Sequence, residues 1–284
     1  MMKNKRYLLA VCFFLVIVFI YGRPTVTKAE HTGLITPEIS IYTCDTVIHE
    51  RSRASAGKAK SPVWIPLPGE DFFFRQKLSG ISHIRNAREL GGYATTDGYT
   101  VKRGLLIRTA VLQDPQEVCA IHETYHLGYI IDLRRNKSRG SVIADPQLHG
   151  VTNVYAGMKG VHERKPRAYV DLLKRKESDK AMRAFFQTVI RNKGKRAILF
   201  HCSKGKDRTG IMAAILLSVL RVPDETIMWD YMLSAKWSMK CNAAAMKNAL
   251  HYMKRTDGSV ENYVIRKTGL TAADMDAIRN YYRE

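Results

Sequence analysis

The sequence predicts an α/β fold, a mainly parallel central sheet flanked by helices. Three observations carry this expectation. Short apolar runs suited to strands alternate with longer stretches whose apolar residues recur at helical spacing. Two of the runs, residues 129–134 and 198–201, read as buried strands. Residues 198–210 join such a run to a long apolar segment through a polar, Gly-containing turn, and in open α/β sheets ligand loops sit at the carboxyl ends of strands.

Three parts are expected: a leader over residues 1–29, an extension or linker over 30–80, and one main domain over 81–284. The leader begins with a basic cluster, and residues 7–22 are almost wholly apolar. Sixteen residues are short for a bilayer span and suit a signal-peptide core, with cleavage after Ala29. An uncleaved membrane anchor is the competing reading; either places the domain outside the cytoplasm. In the extension, residues 39–43 suit a strand, 50–61 are polar and basic like a linker, and 62–69 are punctuated by prolines and extended.

In the main domain, Gly91 and Gly92 mark a tight turn. Residues 104–109 read as a short strand. Asp114 is placed to cap a helix, with Pro115 at its first position, Glu117 completing a capping box and Gly128 stopping it. Strands follow at 129–134 and 151–155. Between Lys159 and Arg196, apolar Tyr169, Leu172, Leu173, Met182, Phe185, Phe186, Val189 and Ile190 recur at helical spacing among 13 basic and four acidic residues. That pattern reads as helices with a solvated, charged face; the sharper alternative is a surface that draws in acidic substrates or anionic membrane. A strand at 196–201 feeds the polar loop and a helix at 209–220 leaves it. Further helices are expected near 223–234, 241–255, 260–267 and 271–282. Residues 228–253 are placed to form a lid.

The chain of 284 residues carries a formal charge of +20. Without the leader it still has 41 basic against 26 acidic residues, a net +15. Such a domain attracts anions: phosphorylated substrates, including phosphoinositides, or an anionic membrane surface. Nucleic acid is not expected, because no zinc-finger spacing, aromatic RNA-binding signature or helix-turn-helix is present. The five cysteines, Cys12, Cys44, Cys119, Cys202 and Cys241, form no CxxC pair and no regular spacing, which indicates neither a zinc site nor a disulfide scaffold.

The loop concentrates the chemistry. Unpaired N–H groups at a helix start, helped by the helix dipole, bind anions. Cys202 and Arg208 are separated by five residues, so a curled loop turns a nucleophile and a planar, phosphate-matching fork toward one bound ion. A thiol at a helix N-terminus beside fixed cations ionises readily. Cys202 is therefore the candidate nucleophile, attacking phosphorus to give a phospho-cysteine that water cleaves.

Residues 201–210, His-Cys-Ser-Lys-Gly-Lys-Asp-Arg-Thr-Gly, resemble the signature of cysteine-dependent phosphatases of the protein-tyrosine phosphatase superfamily. The Gly205–Lys206–Asp207 version is similar to a bacterial branch acting on phosphotyrosine, phosphoserine and phosphoinositides. A bare Cys-x5-Arg arises often by chance; here the flanking His, Gly, Lys, Thr and Gly match as well. Residues 86–92 resemble the branch's Asn-x-Arg-Asp-Leu-Gly-Gly segment, with Glu89 in place of Asp, and residues 130–134 resemble its Ile-Asp-Leu-Arg segment.

The resemblance implies a protein-tyrosine-phosphatase-like fold and no cofactor or metal. It implies Cys202 as nucleophile, Arg208 and the loop N–H groups of Ser203, Lys204, Gly205 and Lys206 on the phosphate, the Lys206 side chain, with Lys204, adding charge to the pocket as in loops that accept inositol phospholipids, Thr209 on the sulfur, and His201 orienting the loop. Asp207 is the first candidate for the general acid, with Asp132 and Asp230 as alternatives. Arg88 either approaches the phosphate pocket or forms a scaffold ion pair. The resulting expectation is a tyrosine phosphatase with wider specificity. The rival readings are a cysteine-type phytase or other small-molecule phosphatase, a sulfurtransferase, and a non-catalytic phosphate-binding module.

Overall fold

The computed structural model describes residues 41–42 (backbone), 76–78, 81, 83–135, 144–161 and 165–284. The expected leader, with Cys12, and nearly all of the extension, with Cys44, lie outside the described residues.

Seven strands are described. Two short ones, β1 (Ile41–Tyr42) and β5 (Gln147–Leu148), pair in parallel. The others form one sheet in the order β2-β3-β7-β4-β6: β2 (Arg88–Glu89), β3 (Leu106–Thr109), β7 (Ala197–His201), β4 (Leu127–Arg134) and β6 (Thr152–Met158). All its pairings are parallel except β2 with β3 at one edge. The mainly parallel sheet is as expected. Its middle strand β7 is buried along its whole length.

Strand alternation sorts the core into two layers. On β7, Ile198 and Phe200 face one layer, and Ala197 and Leu199 the other. The smaller layer packs Val118, Cys119 and Ile121 of α1 (Pro115–Tyr125) against Ile107, Ile130 and Leu199. Asp114 caps α1 through the Gln116 N–H, as expected. Two details differ. Glu117 accepts from the backbone N–H of His83 at 2.9 Å, tying α1 to the chain before β2. The helix stops at His126, whose φ of +53° lets its N–H turn back to the His122 carbonyl, while Gly128 continues into β4.

The larger layer is built by α2 (Ala168–Leu173), α3 (Lys176–Asn192), α4 (Asp207–Val219), α5 (Asp224–Met232), α6 (Ala243–Asp257), α7 (Val260–Thr268) and α8 (Ala272–Tyr282). In α2 and α3 the apolar stripe is buried and the charged face turned out, Ile190 being half-buried. Thr271 and Asp274 form a reciprocal capping box on α8. Residues 228–253, expected as a lid, belong to the body instead. They bury Asp230, Tyr231, Ala245, Met246, Ala249 and Met253, and a 3-10 turn (Leu233–Trp237) joins their two helices.

Asp230 anchors that segment. One carboxylate oxygen accepts from Arg88 Nε at 2.8 Å and from the Tyr93 hydroxyl at 3.1 Å, and the other from Arg108 Nη1. Its carbonyl accepts from Arg88 Nη2 at 2.7 Å. Both arginines are fully buried. Burial works against the Asp230 charge, but Arg108 and Arg88 outweigh it and hold the carboxyl below its ordinary value. Burial, with Arg88 beside it, pushes the Arg108 guanidinium down to about 10.

Breaking such a group by removing one partner strands buried charge. Asp230→Asn is therefore expected to cost about 3–5 kcal/mol, read as a lower denaturation midpoint. Because the folded-state pKa of Asp230 is depressed, its stabilisation is present above the ordinary carboxyl range and drains away as pH falls through the folded-state value. The variant should lose that part of the acid dependence, and unfolding curves against pH check it.

Candidate active site

Strand β7 delivers His201 to the carboxyl edge of the sheet, and Cys202 opens the loop. Helix α4 begins at Asp207, two residues earlier than expected, with the Gly210 N–H donating to the Lys206 carbonyl at 2.8 Å.

Three consecutive loop carbonyls are tied outward. The Ser203 carbonyl accepts from the Val111 N–H at 3.4 Å, the Lys204 carbonyl from Asn86 Nδ2 at 3.1 Å and the Gly205 carbonyl from Arg108 Nη2 at 2.8 Å. A trans peptide places its N–H opposite its C=O, and no peptide bond here is cis. The N–H groups of Lys204, Gly205 and Lys206 therefore point the other way, toward the concave side. Consecutive inward N–H groups make an anion nest, and the first turn of α4 adds its dipole.

Gly205 makes the curl possible. Its φ is +66°, and a Cβ there would sit 2.4 Å from the Thr109 carbonyl oxygen. Cys202 is 2% exposed and carries a free thiol. Arg208 is half-buried and reaches across the loop, donating from Nη2 to Ser203 Oγ at 3.1 Å and from Nη1 to the Met158 carbonyl at 3.4 Å. Ser203 and Lys204 are exposed. Thr209 Oγ1 is buried with no hydrogen-bond partner among the described residues, so the expected bond to the sulfur is not made in this structure.

Other expected residues lie elsewhere. Arg88 takes the scaffold alternative: it faces Asp230 and the Asn86 carboxamide, behind the loop, and is not a phosphate ligand. Asp230 is held ionised between two arginines, which disqualifies it as a proton donor. Lys206 is 1% exposed, and its amine donates to the Lys240 carbonyl at 2.7 Å, beside Asp207 rather than out in the mouth of the pocket. Asp132 is taken up by Arg134, whose N–H and Nε donate to it at 2.7 and 2.9 Å.

Asp207 lies in the first turn of α4. Its Oδ1 accepts the Tyr169 hydroxyl, and Lys206 Nζ is 3.6 Å away. His201 is fully buried, with Nε2 2.8 Å from Asp145 Oδ2, and Asp145 also accepts from Arg134 Nη2 at 2.8 Å. Arg134, despite partial burial, is held above its ordinary value by Asp132, Asp145 and the nearby Cys202. Donor atoms of Asp132, Asp145 and His201 lie within 4.8 Å of one another, a grouping able to hold a metal ion; the Arg134 guanidinium already supplies the positive charge there.

Sequence reasoning missed Asp145, and it placed Tyr169 only as core. Asp145 belongs to no motif, and Tyr169 follows the apolar stripe of its helix. It gave no role to Arg108, although position 108 lies within a strand beside β7, where a buried cation needs a reason.

The tyrosine phosphatase family matches residues 79–284. A candidate tyrosine-protein phosphatase of Cupriavidus necator is 29% identical over 178 residues, 57% of this chain and 65% of that protein. A tyrosine-protein phosphatase of Nostoc commune is 51% identical over 41 residues, 14% of each chain. The chain thus spans less than two-thirds of the length of these relatives. A crystal structure of P. aeruginosa TpbA with a cysteine-to-serine substitution, in complex with pTyr, aligns at a TM-score of 0.33 and 15% identity, over 64% of this chain and 88% of that one.

Gly205→Ala adds a Cβ against the Thr109 carbonyl at a backbone angle that favours glycine. It is expected to weaken orthovanadate binding about tenfold or more, the equivalent of roughly 1.4 kcal/mol of loop strain. Calorimetric titration of both proteins checks it.

Proposed function

The chain belongs to the tyrosine phosphatase family, and from that premise we propose that it hydrolyses phosphoric monoesters through a phospho-cysteine at Cys202. The observation that carries this is the loop itself: one buried sulfur, three N–H groups turned inward by their tied carbonyls, and the Arg208 fork, all around one concavity.

The sulfur of Cys202 attacks phosphorus. As the P–S bond forms, the ester P–O bond breaks and its electron pair leaves on the ester oxygen, which takes a proton from Asp207. Loop N–H groups and Arg208 hold the equatorial oxygens, where charge builds up in the transition state. Water then attacks phosphorus and gives its proton to the Asp207 carboxylate. The P–S bond breaks and the sulfur departs with the electron pair, and the Thr209 hydroxyl, without a partner among the described residues, turns to donate to it. His201, held by Asp145, keeps the strand end and the loop in register.

Phosphotyrosine is the first substrate, with phosphoserine and phosphoinositides as further ones. The exposed Lys204 supports this reading, since with Lys206 buried it is the loop lysine that meets a polyanionic headgroup. An extracytoplasmic location remains part of the proposal, resting on the leader.

Two variants test the mechanism. Cys202→Ser is expected to lower turnover of a phosphotyrosine peptide on the order of 10⁴-fold or more while orthophosphate still binds. A panel of phosphotyrosine, phosphoserine, phosphoinositide and inositol phosphate substrates ranks the specificities, and full activity in the serine variant overturns the mechanism. Asp207→Asn is expected to cost about 10²–10⁴-fold on alkyl phosphates and much less on p-nitrophenyl phosphate, whose leaving group needs no proton. An equal loss on both removes Asp207 as the acid.

A further inference from the structure

We propose that Tyr169 is a positioning residue for the reaction: its hydroxyl fixes the Asp207 carboxyl at the loop, and Tyr231 passes that geometry on from the start of helix α6. The inference deepens the reading of Asp207 as proton donor and rests on it.

The hydrogen-bond chain has one direction. The backbone N–H of Asn242 can only donate, and it donates to Tyr231 Oη at 2.8 Å. Tyr231 Oη lies 2.8 Å from Tyr169 Oη, and the Tyr169 hydroxyl donates to Asp207 Oδ1. Each phenol has a single proton. With the Tyr169 proton on the carboxylate, the Tyr231 proton goes to the Tyr169 oxygen, and the chain terminates on Asp207. The two rings support the line by packing edge to face, centroids 6.0 Å apart at 88°.

Three elements fix the ends of this chain. Tyr169 is fully buried on α2, and Tyr231 is buried on α5. Asn242 caps α6 through the Ala245 N–H and also donates to the Lys165 carbonyl, at 3.3 Å, just ahead of α2. Burial raises the Tyr169 phenol well above its ordinary range and pushes that of Tyr231 up to about 12. Both phenols therefore stay protonated donors across the working pH range.

The chemistry needs such a hold. The terminal torsion of an aspartate is soft, and a proton donor must sit within hydrogen-bond reach of the ester oxygen. Tyr169 occupies Oδ1 and so selects the rotation of the carboxyl plane. Among the described residues, the ionisable groups facing Asp207 include Tyr169 from α2, Tyr231 from α5, Lys206 from the loop, and Cys241 ahead of α6. Tyr169 donates a hydrogen bond to Oδ1, and a bond of this kind favours the charged carboxylate.

The test is Tyr169→Phe, which keeps the ring and removes the hydroxyl, measured beside Asp207→Asn and the double variant. Melting temperature and orthovanadate affinity report whether the loop is intact. The expected result is a fall of about tenfold or more on alkyl phosphates with a much smaller one on p-nitrophenyl phosphate. The high-pH limb of kcat/KM, set by loss of the acid's proton, is expected to move to higher pH, because the bond favouring the carboxylate is gone. In the double variant the tyrosine change should add nothing to the Asp207→Asn loss.

Equal losses on the two leaving-group classes, or a full additive loss in the double variant, overturn the proposal. A leaving-group effect in Asp207→Asn with none in Tyr169→Phe removes Tyr169 alone; no such effect in Asp207→Asn removes both readings. Tyr231→Phe, one bond further away, is expected to give a smaller shift of the pH limb in the same direction, which keeps the test decisive if Tyr169→Phe folds poorly.

Discussion

One buried carboxylate organises the site from behind. Asp230 pairs with both Arg88 and Arg108, and each arginine leads to a loop carbonyl. Arg108 holds that of Gly205 directly; Arg88 donates to the Asn86 carboxamide at 2.5 Å, and Asn86 donates to that of Lys204. Two charged braces thus converge on adjacent peptides. An ion group of this kind adds little net stability over an apolar core of the same volume, because desolvation opposes the attraction. Its return is geometric: it dictates which way the loop peptides face. The concave N–H groups follow from where those carbonyls are held.

Charge therefore acts on both sides of the loop. Behind it lie Asp230, Arg88 and Arg108, all sealed from water. Near the strand end Arg134 sits between the Asp132 and Asp145 carboxylates, and Asp145 also meets His201 Nε2. Within the loop, Lys206 is turned back toward the body, and the half-buried Arg208 is the cation that spans the opening. Oriented dipoles and the Arg208 guanidinium line the concavity, fixed in advance of any anion that enters it.

Much of this was legible in the sequence where information is local. The strand, turn and helix around Cys202 lie within two dozen residues, and apolar runs, a glycine and a fixed spacing express them completely. The stripes of α2 and α3 were legible for the same reason. Long-range polar pairing was not. Arg88 and Asp230 are 142 positions apart, Tyr169 and Asp207 38, and His201 and Asp145 56. A tyrosine that fills a core position while aiming its hydroxyl at the Asp207 carboxyl is indistinguishable from a core tyrosine by periodicity. Local rules also lost to tertiary contacts: Glu117 suits a capping box but finds a better partner in the His83 N–H, and a lid-like segment after the loop proved to carry the ion group that holds the loop in place.

The sequence distance between the braces has a consequence for folding. Asp230 lies 28 positions after Cys202 and Arg88 lies 114 before it, so the loop is braced only when segments on both sides of it have folded. A chain lacking Asp230 leaves Arg88 and Arg108 without their carboxylate, and these are the groups that lead to the Lys204 and Gly205 carbonyls.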